Sequence, residues 1–170
     1  VPIINRYAYT YDNPEVIDYL NAENSYREKI MKGTENLQER LYDEIVGRIK
    51  KDDSSVPYLL DGYYYYTRFE GDKEYPLYCR KKGSLEAEEE VMLNVNDMAE
   101  GHAYYQVAGL SIHPNNQKIA FGEDTVSRRI YTIYTKDLVT GEITQVTEGE
   151  CTGGSTWSAD GNYLFYTVKD

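Results

Sequence analysis

With 170 residues the chain is long enough for one domain with a real core, or for part of something larger. Its formal net charge of −11 argues against general binding to nucleic acid or to anionic membranes, because both need counter-charge. No apolar run approaches the roughly 20 residues of a membrane helix, and no charged-then-apolar signal segment opens the sequence.

The first third reads as helix. Asn13 stands where an N-cap belongs, Pro14 at the first helical position, and Glu15 in the first turn, where negative charge suits the helix dipole. Val16, Ile17, Leu20 and Ile30 mark one apolar side. Gly33 weakens the run, and Thr34 can cap the next segment. Leu37, Leu41, Ile45 and Ile49 then recur four apart on one stripe. Two helices or one kinked helix fit equally well, and each stripe asks for a partner surface. "KDDSSVP" (51–57) is a composition shift, charged and then small, so the helical segment is assigned to 1–52 and a second region to 53–170.

Beyond it the chain reads as strands separated by turns. Residues 58–69 and 75–82 flank the polar "EGDKE" with Gly71 and read as a hairpin; "VMLNVN" (91–96) is a third strand after the acidic loop "EAEEE". "IHPNNQKIAF" (112–121) and "WSADGNYLFY" (157–166) align without gaps at an offset of 45 residues. In each, an apolar residue precedes a polar turn and an apolar strand comes after it. Between them, "RIYTIYTKDLVTGEITQVT" turns at Thr140-Gly141. Units of about 40–50 residues built of short antiparallel strands are the signature of propeller blades, with a sandwich of meanders as the alternative. Tyr63 to Tyr66 then alternate between the two faces of a blade strand, since a tyrosine ring buries area while its hydroxyl stays wet. The fold class is α+β and mainly β: a helical segment followed by two blades and the start of a third.

Candidate chemistry is sparse. G-x-S-x-G is missing; "TGGSTWS" (152–158) lacks the second glycine, and Gly153-Gly154 reads as a place where backbone passes close. His113 falls at the repeat's turn and reads as a turn residue. His102, in "EGHAYYQ", has no serine or cysteine partner at motif spacing. Glu86, Glu88, Glu89 and Glu90 read as a solvated loop rather than a cation site. Cys79 and Cys151, without C-x-x-C, read as free thiols of a reducing compartment; the expected location is cytoplasmic, with the periplasm as alternative. The residues thus assign no catalytic group, no metal and no cofactor.

"NPEVIDYLNAENSY" (13–26), "LQERLYDEIVGRIK" (37–50), "GYYYYTRFEGDKEYPLYCRKKG" (62–83), "EGHAYY" (100–105) and "SIHPNNQKIAFGEDTVSRRIYTIYTKDLVTGE" (111–142) occur in that order. Together they resemble the N-terminal part of the prolyl oligopeptidase family of serine peptidases, and most its branch that cuts after Arg and Lys. The resemblance implies a helical segment, a seven-bladed propeller that restricts entry to short peptides, and a C-terminal α/β-hydrolase domain that carries the triad. It implies that this chain reaches only the third blade and holds no triad residue. The implied partners are short basic peptides and the protein's own hydrolase domain, with self-association through open sheet edges and no nucleic acid or membrane. "SRR" matches as Ser127-Arg128-Arg129, and Arg128 or Arg129 is expected to form interdomain or strand-edge salt bridges. One departure is "NRYAYTYDN" (5–13), which lacks the Trp-Leu pair of the family. A non-catalytic propeller scaffold that binds a protein partner is the rival reading.

Overall fold

The computed structural model of the chain describes residues 13–169; the segment 5–13, where the Trp-Leu pair is lacking, lies outside the described residues but for Asn13. Two compact units divide between Lys50 and Lys51.

In the first unit, α1 (Pro14–Met31) begins as its sequence dictates: Asn13 Oδ1 accepts the Glu15 N–H at 3.0 Å. A 3₁₀ turn (Lys32–Thr34) links it to α2 (Glu35–Gly47). Thr34 stands at the N-cap of α2 without capping it; its hydroxyl donates to Met31 O at 2.7 Å and accepts from Gln38 Nε2 at 2.8 Å. The reason is conformational. The chain stays helical through Met31 and Glu35, so Thr34 never takes the extended backbone that aims a cap at the next turn. Neither helix buries a residue, and Leu20, Leu37, Leu41, Ile45 and Ile49 are exposed.

The second unit is built of antiparallel meanders. Blade 1 holds β1 (Tyr58–Leu60), β2 (Tyr63–Arg68), β3 (Leu77–Lys82) and β4 (Glu89–Asn94) in that spatial order. The single strand expected over 58–69 is two, because Asp61 and Gly62 both take positive φ (45° and 79°) and close a two-residue hairpin. The strand expected over 91–96 starts earlier and ends at Asn94, whose side chain accepts the Asn96 N–H at 3.2 Å and starts a single turn, α3 (Val95–Met98).

Blade 2 holds β5 (Gln106–Ile112), β6 (Lys118–Asp124), β7 (Thr132–Asp137) and β8 (Ile143–Gln145), again in order. The first hairpin of blade 3 is β9 (Cys151–Trp157) with β10 (Leu164–Val168), and β10 is paired on one side. The repeat seen in sequence is a repeat of hydrogen bonds. His113 N donates to Lys118 O (2.9 Å) and Asn116 N to His113 O (2.8 Å); 45 residues on, Ser158 N donates to Tyr163 O (2.8 Å) and Gly161 N to Ser158 O (2.9 Å). Asn116 and Gly161 share the left-handed backbone, at φ 58° and 73°.

The core sits between blades. Tyr65, Met92, Leu93, Ile119 and Phe121, from β2, β4 and β6, form one buried cluster. Between blades 2 and 3 the backbones themselves touch. A Cβ on Gly109 would lie 2.1 Å from Gly153 O, and one on Gly122 would lie 2.7 Å from Gly153 Cα. The reading of Gly153-Gly154 as a close approach thus holds, since a Cβ on Gly109 would also lie 2.7 Å from Gly154 Cα.

Candidate functional site

The tyrosine run works structurally. Tyr63 and Tyr65 share a face of β2, their rings 6.1 Å apart, and Tyr65 stacks on Tyr58 at 5.7 Å. The Tyr65 hydroxyl crosses to blade 2 and donates to Asn116 Oδ1 at 2.9 Å. Arg80 is buried at 5 % exposure over the Tyr63 ring, 4.3 Å from its centroid. It pairs with Glu90 (2.6 Å) and donates to Asn116 O at 2.5 Å. On the other face, the Tyr66 hydroxyl donates to Glu89 at 2.6 Å, and Arg68 grips Glu89 through Nε and Nη2 and Glu70 through Nη1.

These contacts correct one expectation. Glu89 and Glu90 belong to strand β4 and are ion-paired to Arg68 and Arg80, Glu90 remaining half-exposed, while Glu86 and Glu88 are exposed before the strand. Pairing across β2, β3 and β4 brings each acid to its cation, which a local reading of an acidic run misses. Hydrogen bonding from Arg68 holds the Glu89 carboxyl below the usual carboxylate range, and burial and then Glu89 push the Tyr66 phenol up. Burial raises the Cys79 thiol to about 11. Cys79 and Cys151 are both buried free thiols.

The loop that carries Arg128 and Arg129 is built on Asp124, which is 1 % exposed at the end of β6. Its Oδ1 accepts the N–H groups of Val126 (2.8 Å) and Ser127 (3.0 Å), and its Oδ2 that of Arg129 (2.8 Å). Ser127 and Arg129 pass through left-handed backbone, at φ 62° and 55°, a conformation that L side chains avoid unless the loop imposes it. Both arginines are exposed. Arg128 donates to Ser127 O at 3.4 Å, and Lys169 donates to Arg129 O. Asp124 escaped the sequence reading. An acid placed before a polar loop is a signal for such a clamp, but which of the 29 acids is buried is decided by the sheet.

The same rim gathers "EGHAYYQ". Gln106 pairs in register with Asp124 and Val107 with Glu123. The buried Tyr105 donates its hydroxyl to Glu123; burial first and that carboxylate second raise its phenol above the usual range. Tyr131 donates to Gln106 Oε1 at 3.1 Å. His102 is exposed, its ring 5.3 Å from that of Tyr105. His113 is a turn residue, as its place in the repeat suggests. Among the described residues no group of three or more His, Cys, Asp or Glu is placed to hold a metal ion.

Successive four-stranded meanders that pack face to face through a shared core are the blades of a β-propeller. The chain belongs to the prolyl oligopeptidase N-terminal β-propeller family, whose model matches residues 6–170. It is 40% identical to dipeptidyl aminopeptidase BI of Pseudoxanthomonas mexicana, over 94% of this chain and 24% of that protein. It is 35% identical to Protease 2 of Moraxella lacunata over the same shares, 94% and 24%. The solved structure of oligopeptidase B from Leishmania major superposes with a TM-score of 0.81 at 32% identity, covering 94% of this chain and 23% of that one. The chain spans about a quarter of the length of the curated relatives it matches.

Proposed function

We propose that the chain is the amino-terminal propeller portion of a serine oligopeptidase that hydrolyses short peptides after Arg or Lys. In this reading it gates access to a hydrolase domain and supplies no catalytic residue. The observation that carries the reading is similarity along nearly the whole chain, at 32% identity and a TM-score of 0.81, to a solved oligopeptidase B. Physical chemistry supports the gating role. Blades seamed by a shared core and a buried arginine form a stiff wall, and a stiff wall admits flexible peptides more readily than folded proteins. A net charge of −11 favours encounter with basic peptides. Exposure of Arg128 and Arg129 on a loop held by Asp124 supports a role for them in interdomain or strand-edge salt bridges, and the two buried thiols suit a reducing cytoplasm.

A second reading has its own support: the relative that is 40% identical is named a dipeptidyl aminopeptidase, which points to release of dipeptides from free N-termini. The deciding experiment assays the whole protein that carries this chain on three chromogenic peptides. One is N-blocked and ends in Arg, one is N-blocked and ends in Pro, and one is a dipeptide with a free amine. Cleavage of the blocked Arg peptide is expected. Cleavage of the free-amine dipeptide alone favours the second reading, and no cleavage of any favours a scaffold. The salt-bridge role is tested by Arg128→Ala with Arg129→Ala in the same protein, where unchanged activity and stability would sink it.

A further inference from the structure

The turn His113–Gln117 is where three blades meet. Toward blade 1, Asn116 accepts from Tyr65 and Arg80 and donates through Nδ2 to Asp61 O at 3.3 Å. Toward blade 3, His113 Nε2 lies 3.0 Å from Gly161 O, and the His113 ring stands edge-on to Trp157, centroids 4.7 Å apart. Trp157 Nε1 in turn donates to Ser111 O at 3.4 Å. The fit is close, because a Cβ on Gly161 would lie 2.4 Å from His113 Nε2.

One proton decides whether this arrangement can exist. The Asn115 N–H points at His113 Nδ1 from 3.1 Å, so Nδ1 is an acceptor and carries no hydrogen. The hydrogen of the neutral ring is then on Nε2, where it is donated to Gly161 O. A second proton on Nδ1 would set two donors against each other inside the turn that positions Asn116.

We propose that His113 is a proton-operated latch: its neutral, Nε2-protonated ring closes the seams of blade 2 with blades 1 and 3, and protonation of Nδ1 loosens both together. The sign comes from the contacts. The closed form has no place for the second proton and the opened form has, so acidification favours the opened form. Histidine is the side chain whose ordinary charge change falls between about pH 5 and 8. The charged groups on the elements that meet here are few. Asp160, on the blade 3 turn, is held by Ser158 and by Asn162 and is lowered to about 2, so it stays ionised throughout that range. Lys118 lies at the start of β6, and from blade 1 come Asp61, whose carbonyl Asn116 meets, and Arg80 with its partner Glu90.

The test uses the whole protein labelled with 5-fluorotryptophan, the resonance of position 157 being assigned by Trp157→Phe. Between pH 7.5 and 5.5 that resonance is expected to titrate in the wild type and to stay put in His113→Gln and His113→Asn. Hydrogen exchange, corrected for its intrinsic pH dependence, is expected to rise in the wild type at 58–66 and at 158–163 with the same midpoint. Melting temperature should fall by about 2 °C or more over that interval in the wild type alone. A flat Trp157 resonance in the wild type, or the same titration in both variants, overturns the latch. Opening at 158–163 without opening at 58–66 overturns the coupling of the two seams. The wild-type measurements decide the matter even if the variants do not fold.

Discussion

Along α1 and α2 backbone hydrogen bonds close within each helix and no side chain is buried, whereas in the blades one residue in β2, Tyr65, is stacked, buried and bonded to the next sheet. The helices are therefore written locally. A cap, a proline and a first-turn acid define where α1 starts, and nothing distant is needed to say so. The blades are written at a distance: Arg80 finds Glu90 across a strand pair and Asn116 in another sheet. A substitution in the helices should cost what its own turn loses. One in the blades should cost what a seam loses.

The largest expected effect is at Gly109. Alanine there meets Gly153 O at 2.1 Å with φ at +62°, and we expect a loss of about 3 kcal/mol or more, read by chemical denaturation of the whole protein. A loss under about 1 kcal/mol would mean that the two blades separate easily at that point.

Next is Arg80→Met, which keeps an apolar side chain there but takes the guanidinium from over Tyr63 and leaves Glu90 and Asn116 O without their cation. A loss of about 2 kcal/mol is expected, less than for a fully buried pair because Glu90 is half-exposed. Double-mutant cycles with Glu90→Gln separate the pair from the packing. Additive single effects would remove the ion pair from the account.

The pH dependence of the blades sharpens the contrast further. Arg68 holds Glu89 below its ordinary range, so the folded state binds that proton less readily than the unfolded chain. This contribution is complete above about pH 5 and drains away as pH falls through the carboxylate range and below. Glu89→Gln should flatten that part of the stability profile between about pH 5 and 3. An unchanged slope would show that other carboxylates carry it.

The smallest effect belongs to the helical unit. Asn13→Ala removes the side-chain acceptor of Glu15 N–H and should cost about 1 kcal/mol of local helix stability, seen as faster amide exchange in the first turns of α1. No change there would mean that Pro14 alone sets the start.

Legibility in the sequence divides along the same line. Asn13, Pro14 and the four-residue spacing from Leu37 to Ile45 announced helices, although α2 stops at Gly47 short of Ile49, and the 45-residue offset announced the turns at His113–Asn116 and Ser158–Gly161, because both signals are local. The alternation of Tyr63 to Tyr66 was legible for the same reason. The fates of Glu89 and Glu90 were not, since strand pairing and not spacing along the chain brings Arg68 and Arg80 to them. The break at Asp61-Gly62 was written in the residues as a hairpin signal, but the tyrosines beyond it made one long strand look continuous. At the candidate site, Arg128 and Arg129 stood out through the match of Ser127-Arg128-Arg129 to the family's pattern. Asp124, which shapes their loop, looked like any other acid until the sheet buried it.

The contact of Gly109 and Gly122 with Gly153 has a mechanical side. The two sheets meet backbone to backbone at Gly109 and Gly122, with the Tyr131 ring laid against Gly153, and leave no gap to close at that point. A tilt of blade 3 against blade 2 would therefore turn about this line, as pages turn about a spine.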